Sequence, residues 1–244
     1  MRLTRTWIDS PISIGQRLHL PENAANHLLR VLRLASGDEC VLFNGDGHDY
    51  LACITQSGKR DCEVEVLAAE KVERESPLAI TLLQGIARGE KMDLILQKAT
   101  ELGAAAFMPV SSQRSEVKLD AARAAKRLAH WQGVVIAACE QSGRAHCPPV
   151  TAPAALATAL QHPALPAARF YLEPEAPHSI ATLTIDTQAL AIAVGPEGGW
   201  SASDLQALQA AGFVGLRLGP RILRTETAGL AAISALQLRF GDMG

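Results

Sequence analysis

The chain has few aromatic residues and lacks the features of several common protein classes. Phe, Trp and Tyr together make up 4% of its 244 residues. It has no run of about eighteen apolar residues, and its first residues lack the apolar core of a signal peptide, so we expect no membrane segment and no export. Hydrophobic residues still make up 48% of the sequence, enough for a buried core. We therefore predict a soluble, cytoplasmic protein.

The cysteines and histidines also lack the spacing of metal ligands. The five cysteines are an odd number and include no CxxC pair, and the seven histidines include no HExxH pattern. A structural zinc site and a disulfide framework both need such regular spacing. We therefore expect no metal and no disulfide framework.

Nucleotide-binding fingerprints are missing too, but two glycine-rich loops lie near the C-terminus. No GxGxxG or GxxxxGK[ST] pattern occurs, which excludes the usual dinucleotide and P-loop sites. The two loops, 195–200 and 218–228, follow the short apolar runs 191–194 and 214–218. Such runs predict buried parallel strands, so both loops would leave the carboxyl ends of strands, where open α/β sheets bind ligands. We place the candidate active site there.

The first seventy or so residues carry short β-like runs separated by turn residues, which predicts a small β-barrel. One helix, beginning near Pro21, interrupts the barrel. Its apolar residues would share one buried face, and its arginines would point away from that face. The apolar residues are Leu28, Val31 and Leu32, the arginines are Arg30 and Arg33, and the predicted strands are 5–8, 17–20, 39–43, 50–54 and 62–67.

A charged segment that ends at Pro77 separates this region from the rest of the chain. We therefore predict two domains, residues 1–73 and residues 74–244. In the second, strands alternate with helices, which is typical of an α/β domain. The further predicted strands are 78–83, 107–110 and 169–172, and the predicted helices are 91–102, 121–139, 153–161, one opened by a capping box at 201–204 and ended by Gly212, and 225–238.

Four sequence blocks resemble the RsmE family of 16S ribosomal RNA uridine-N3 methyltransferases, part of the SPOUT superfamily. The blocks are RGEKMD at 88–93, KATELG at 98–103, EQSGR at 140–144 and LGPRILRTETA at 218–228. The resemblance covers nearly the whole chain. It implies a SPOUT-type α/β methyltransferase domain with a trefoil knot over 74–244, preceded by a small PUA-like RNA-binding β-barrel over 1–73. It also implies a homodimer, although the apolar helix at 228–238 could equally complete a monomer's own core.

The same resemblance implies S-adenosyl-L-methionine (SAM) as the cofactor. Glycines of the two loops would admit it, and apolar residues would line its pocket. The implied SAM-contacting residues are Leu172, Gly195, Gly199, Leu218, Gly219, Ile222, Leu223, Thr227 and Ala228.

The family's reaction is methylation of N3 of a uridine, which requires loss of the N3 proton because the nitrogen lone pair is available only in the anion. A cation near a carbonyl oxygen of the base would stabilise that anion, and a carboxylate or water would take the proton. Arg221 and Arg224 are candidates for the first role, and Glu197 or Glu226 for the second. Each carboxylate could instead cap a helix turn or pair with an arginine, and orientation of the substrates alone could supply most of the acceleration.

Basic residues and the family-like blocks predict contacts with small-subunit ribosomal RNA. Residues 1–34 hold five arginines against two acidic residues, few for tight binding to naked RNA, so we expect an assembled or nearly assembled subunit as the partner. Lys98 and Glu101 lie three residues apart and could simply pair, and Trp200 could stack on a base or pack in the core. The candidate RNA contacts are Arg2, Arg5, Arg30, Arg33, Arg88, Lys91, Lys98, Glu101, Glu140 and Arg144.

The sequence leaves two other functions open. Within the same fold, the chain could be a SPOUT ribose 2′-O-methyltransferase, although the block at 218–228 favours the RsmE family. From a different class, it could be a non-catalytic RNA-binding factor in ribosome assembly. The intact glycine loops argue against that reading, since a protein without a ligand would not need them.

Overall fold

The structure is a computed structural model that describes residues 3–58, 61–117 and 119–244. The chain forms two compact units. The first comprises the residues up to Glu75 together with Cys139–Cys147, and the second comprises Ser76–Ala138 and Pro148–Gly244. The first unit thus includes the distant segment Cys139–Cys147, whereas the predicted domains 1–73 and 74–244 place that segment in the second domain.

The first unit contains a five-stranded sheet built from all five predicted strands. They are β1 (Arg5–Trp7), β2 (Arg17–His19), β3 (Glu39–Phe43), β4 (His48–Ser57) and β5 (Cys62–Lys71). Their order is β1-β3-β4-β5-β2, with β1 parallel to β3 and the other pairs antiparallel. Successive side chains of a strand point to opposite faces, so Tyr50, Ala52 and Ile54 of β4 all lie in the core of this unit.

The helix predicted near residue 21 is short and ends in a π-helical turn. Helix α1 comprises Glu22–Asn26, and the π-helical turn comprises His27–Val31. A π-helical turn bonds residues five apart and advances by a smaller angle per residue than an α-helix, so it rotates the following side chains off the core face. Leu28 is buried as predicted, but Val31 is 67% exposed and Leu32 is 39% exposed. The prediction of one shared buried face was wrong for those two residues.

The second unit contains a seven-stranded sheet in which every neighbouring pair is parallel. The strands are β6 (Ala79–Gly85), β7 (Ala104–Ser111), β8 (Ala154–Ala155), β9 (Ala168–Leu172), β10 (His178–Ser179), β11 (Ala189–Val194) and β12 (Val214–Arg217), in the order β10-β12-β9-β11-β6-β7-β8. The helices along the chain are α2 (Lys91–Glu101), α3 (Ala121–Ser142), α4 (Leu156–Ala159), α5 (Ala202–Ala210) and α6 (Thr225–Phe240). The α/β fold with a parallel sheet was predicted and is confirmed.

One predicted helix, 153–161, is mostly not helical. Its first part forms β8, which pairs with the end of β7, and only Leu156–Ala159 is α-helical. The backbone of Ala155 is extended, with ψ of 146°. Backbone pairing at the edge of the sheet therefore overrides the helical preference of this alanine-rich segment.

Two central strands position the candidate site. β11 lies between β9 and β6, and its residues from Leu190 to Val194 are buried. In the strand order, β7 follows β6 toward one edge of the sheet, whereas β11, β9 and β12 lie between β6 and the opposite edge. Ligands of open α/β sheets bind where strand order reverses in this way, outside the carboxyl ends of the strands.

The final helix, α6, packs into the second unit. Gly229, Ala232, Ile233 and Leu236 are buried on it, whereas Leu238 is exposed. Most of its apolar face therefore completes the core of its own unit, which was one of the two roles considered for it.

Candidate active site

A cavity of about 500 Å³ opens at the carboxyl edge of the second sheet. Leu172, Val194 and Leu216 bring the ends of β9, β11 and β12 to its wall, and the first turn of α6 completes it. The two glycine-rich loops supply most of the remaining wall. Small-molecule sites are about 300–1,000 Å³ in volume, so this cavity can hold a ligand the size of a nucleoside.

Most of the residues predicted to contact a cofactor line this cavity. Thr227 does not line it and is exposed, because its position on α6 faces away from the side that carries Thr225 and Ala228. Ile222 belongs to the rim, where its side chain is 84% exposed. The predicted residues in the wall are Leu172, Gly195, Gly199, Leu218, Gly219, Ile222, Leu223 and Ala228.

Two glycines have backbone conformations that other residues rarely adopt. Gly199 has φ of +68° and Gly219 has φ of +130°. In addition, a Cβ on Gly195 would lie 3.2 Å from the carbonyl carbon of Gly199. Each loop therefore exposes main-chain groups, rather than side chains, at these points of the wall.

Glu197 is held by two donors, one on Arg88 just before α2 and one on Lys91, the first residue of α2. Its Oε1 accepts hydrogen bonds from the Arg88 backbone N–H at 3.1 Å and from Lys91 Nζ at 3.2 Å. Partial burial raises the pKa of this carboxyl, but the backbone N–H groups and Lys91 outweigh burial, so the pKa of Glu197 lies below its ordinary 4.5. A carboxylate stabilised in this way is a weak proton acceptor, and it joins the 195–200 loop to α2.

Glu226 lies in the same cavity but has a different environment. Its Oε2 is buried and accepts no hydrogen bond from any residue of the described ranges, and Lys91 Nζ lies 3.8 Å away. The residue occupies the first turn of α6, where the helix dipole favours a negative charge. Of the two predicted carboxylates, Glu226 is thus the one whose oxygen Oε2 is buried beside the cavity without a hydrogen-bond donor from the described residues.

Three arginines line the cavity. Arg221 and Arg224, which were predicted, form no ion pair with any residue that the structure describes. Arg114 was not predicted; its Nη1 donates to the Gly198 carbonyl at 3.1 Å. Arg114 follows the carboxyl end of β7, and this position after a parallel strand is the signal that could have identified it.

Arg5, a predicted RNA contact, is buried inside the first unit with 6% of its surface exposed. Its Nη2 lies 2.6 Å from Asp49 Oδ1, its Nη1 donates to the Cys139 carbonyl at 2.6 Å, and its guanidinium lies 4.2 Å from the centre of the Phe43 ring. Its donors are thus used within the unit. The burial does not fit the predicted contact with phosphate, and it assigns Arg5 a structural role.

Two further predicted RNA contacts also have internal partners in the first unit. Arg144 is buried and pairs with Glu75, and Glu140 accepts the Trp7 backbone N–H at 2.9 Å. These residues hold the 139–147 segment in place. The first and last residues of the EQSGR block at 140–144 thus have structural contacts within the first unit.

The remaining predicted RNA contacts have mixed environments. Lys98 donates to Glu101 at 2.8 Å, as expected if the two simply pair. The Arg88 guanidinium pairs with Glu116, and Lys91 lines the cavity. Arg30 and Arg33 are exposed, as predicted, and Arg2 lies outside the described residues.

Other predictions about polar and aromatic groups can be compared with the structure. Trp200 is buried and belongs to a core cluster with Leu208 and Phe213, which favours packing over base stacking.

Within residues 3–58, 61–117 and 119–244, no group of three His, Cys, Asp or Glu residues could hold a metal ion. None of the helices in those ranges has the length and apolar character to cross a membrane.

Comparisons with known proteins match the chain to two domain families and to relatives over most of its length. The family described as RNA methyltransferase domain matches residues 74–237, and the one described as RNA methyltransferase PUA domain matches residues 20–67. The chain is similar to ribosomal RNA small subunit methyltransferase E of Buchnera aphidicola from Schizaphis graminum, at 31% identity over 99% of this chain and 98% of the relative. It is also similar to the Bacillus subtilis protein of that name, at 35% identity over 86% of both chains.

Solved structures match over the full length. A methyltransferase of Legionella pneumophila in complex with SAM has a TM-score of 0.95 and 35% identity, and covers 100% of both chains. The ribosomal RNA small subunit methyltransferase E of Neisseria gonorrhoeae, bound to S-adenosyl methionine, has a TM-score of 0.91 and 41% identity, again over 100% of both chains.

A parallel α/β unit with a nucleoside-sized cavity at its carboxyl edge, preceded in sequence by a PUA domain, defines an RNA methyltransferase of the two-domain type. Within that class, the chain belongs to the family of ribosomal RNA small subunit methyltransferase E, the RsmE family.

Proposed function

We propose that this protein uses SAM to methylate N3 of a uridine in 16S ribosomal RNA, within an assembled or nearly assembled small subunit. The observation that carries the proposal is the cavity between the two glycine-rich loops, in a chain that matches two SAM-bound structures over its whole length. When bound, SAM supplies an electrophilic methyl group on a sulfonium sulfur. The protein must then bind the methyl donor, position the base and manage the N3 proton.

The residues of the cavity fit SAM. Gly195, Gly199 and Gly219 line the cavity with main-chain atoms alone, so a ligand such as adenine can approach the backbone closely there. Leu218 and Leu223 provide apolar surface for the flat faces of such a ring. We assign the eight predicted residues that line the cavity to SAM binding, and we omit Thr227 because it faces away.

The charged residues supply the acid–base chemistry in this proposal. Arg221 and Arg224 would stabilise the negative charge that develops on a carbonyl oxygen of the uracil when N3 loses its proton. Glu226 would accept that proton through Oε2, the carboxylate oxygen that has no hydrogen-bond donor among the described residues. Glu197 would keep the loop attached to α2 and take no part in proton transfer.

The finer architecture is part of the same proposal. We infer that residues 1–73 form a PUA-like β-barrel that holds RNA, and that the chain of the 74–244 domain forms a trefoil knot at the SAM site. A homodimer is part of the same proposal, and exposed Ile222 at the rim and Leu238 on α6 are apolar side chains that such an interface could cover. A protein that acts on ribosomal subunits would work in the cytoplasm.

The RNA surface in the proposal is smaller than the sequence predicted. Arg30 and Arg33 on the first unit, and Arg88 and Lys91 beside the cavity, are the basic residues that we assign to RNA. Lys98 and Glu101 contribute as a pair on α2. We no longer assign RNA contacts to Arg5, Glu140 or Arg144.

The test is transfer of labelled methyl from SAM to small subunits from cells that lack this gene, followed by mass spectrometry of the digested nucleosides. We expect 3-methyluridine. A label on a ribose would instead indicate 2′-O-methylation, and binding of SAM without any transfer to subunits or free ribosomal RNA would refute the ribosomal substrate. A chain that binds subunits but not SAM would be a non-catalytic assembly factor.

A further inference from the structure

A buried glutamine lies behind the SAM-binding loop. Gln84, near the carboxyl end of β6, is fully buried. Its Nε2 donates to the Gly85 carbonyl at 2.9 Å and to Thr225 Oγ1 at 2.9 Å. Its Oε1 is buried too and has no hydrogen-bond partner within the described part of the chain. Turning the amide over would place that oxygen against the Gly85 carbonyl, another acceptor, so the contacts fix the orientation of the amide.

Thr225 carries the orientation of this amide to the loop. Its hydroxyl accepts a hydrogen bond from Gln84, so its own hydrogen is directed elsewhere, and Oγ1 donates to the Gly195 carbonyl at 2.6 Å. The chain of donors therefore runs in one direction, from the amide of Gln84 to the hydroxyl of Thr225 and on to the carbonyl of Gly195. A buried chain of this kind polarises and strengthens its members.

The accepting carbonyl belongs to a peptide that has no other polar group. The residue after Gly195 is Pro196, which has no backbone N–H, so the carbonyl is the only group through which hydrogen bonding can orient this peptide. β6 also touches the same peptide, because a Cβ on Gly85 would lie 2.4 Å from the Pro196 nitrogen. The loop is thus held by close backbone contact with Gly85 of β6 and by the Thr225 hydroxyl of α6.

We propose that Gln84 and Thr225 are positioning residues for the methyl donor, which hold the Gly195–Pro196 peptide in the single orientation that shapes the SAM pocket. The inference rests on the proposed use of SAM. Burial of an acceptor without a partner costs stability, which a purely structural position would avoid by carrying an apolar residue. The directional hydrogen bond to Thr225 explains why an amide occupies this position.

The test compares two substitutions of Thr225, one that removes the hydroxyl and one that keeps it. Thr225→Val removes the donor and keeps the shape, whereas Thr225→Ser keeps the hydroxyl. SAM affinity is measured by calorimetry on the full-length protein, and hydrogen exchange of the loop amides, including Gly199, is measured without SAM. For Thr225→Val we expect about tenfold weaker SAM binding, the effect of one lost hydrogen bond, together with faster exchange in the loop. Thr225→Ser should stay within about threefold of the parent protein on the same scale.

Substitution of Gln84 tests whether the two hydrogen bonds act together. Gln84→Leu should weaken SAM binding by a similar factor, and the double variant Gln84→Leu/Thr225→Val should be no weaker than the worse single variant, since both changes interrupt one chain of bonds. The melting temperature of each variant is measured in parallel. Additive losses, or a Thr225→Val protein with parental SAM affinity and loop exchange, would overturn the inference while leaving the proposed function intact. Absence of SAM binding by the parent protein would instead defeat the proposed function and the inference together.

Discussion

The two carboxylates in the cavity should respond very differently to loss of charge. Glu197 has a side chain that is 23% exposed and accepts two hydrogen bonds, whereas Glu226 is 14% exposed and keeps a buried oxygen without a hydrogen-bond donor in the described ranges. Glu→Gln substitution preserves shape and removes the ability to take a proton. We therefore expect Glu226→Gln to affect the chemical step and Glu197→Gln to affect the loop.

The expected magnitudes follow from these environments. A positioned general base contributes about 10²–10⁴-fold, so Glu226→Gln should lower kcat by a factor in that range, equivalent to about 3–5 kcal/mol in the barrier. SAM affinity should be unchanged. Glu197→Gln weakens the contact with Lys91 but can still accept from the Arg88 N–H, and solvent screens the partly exposed pair, so kcat should fall by less than about tenfold.

The assay is single-turnover methyl transfer to small subunits, with SAM saturating and the enzyme in excess over the subunits, from pH 6 to pH 9. For Glu226→Gln we also expect a rate that rises more steeply with pH than that of the parent protein, since solvent hydroxide must replace the missing base. A Glu226→Gln protein that keeps its rate within about threefold would refute the assignment and leave orientation as the main source of catalysis. A Glu197→Gln protein with the larger loss would show that the two roles are reversed.

Three further predictions concern the rest of the molecule. In denaturant titrations, Arg5→Met should lower the free energy of unfolding by about 3–5 kcal/mol, because it leaves Asp49 without its buried partner. Arg33→Met should change the free energy of unfolding by less than about 0.5 kcal/mol. Only Arg33→Met should weaken binding to the small subunit and make that binding less dependent on salt. The pKa of Glu197 is lowered in the folded protein, so its contribution to stability is present above pH 4.5 and is lost as pH falls through the folded value; thermal unfolding between pH 3 and about pH 6 should show a smaller acid loss for Glu197→Gln, and equal losses would contradict the contact. Burial raises the pKa of Cys40 to about 12, so this thiol should react with a disulfide reagent at about pH 8 only after denaturant unfolds the protein, and rapid reaction in the native state would show that it is accessible.

The strands and loops that form the cavity were predictable from sequence for a simple reason. The apolar run 191–194 is buried within a parallel sheet, and the run before residue 218 is buried at Gly215 and Leu216, although Val214 and Arg217 are exposed. Short apolar runs of this kind predict strands, and the loops that follow them must then emerge at one edge. The capping box of Ser201 and Asp204 is a local signal and is present as predicted. Such features depend only on residues close together in the chain.

The features that sequence patterns miss are contacts between distant residues and an unusual local geometry. Arg5 looked like part of a basic patch because its partners, Asp49 and the Cys139 carbonyl, are 44 and 134 residues away. Val31 and Leu32 followed a helical pattern whose period the π-helical turn changed. No pattern of charge or hydropathy in one sequence contains either kind of information.

Gln84 shows where the limit between these two kinds of information lies. A polar residue next to the apolar run 78–83 predicts only the end of a strand, and Thr225 predicts only a helix start. Their meaning comes from the sheet order, which places β6 beside β11 and brings α6 over both, so that residues 141 positions apart exchange a hydrogen bond behind the glycine loop. Sequence motifs thus identify the groups that face the ligand, whereas the groups that hold those motifs in shape become visible only once the strands are ordered.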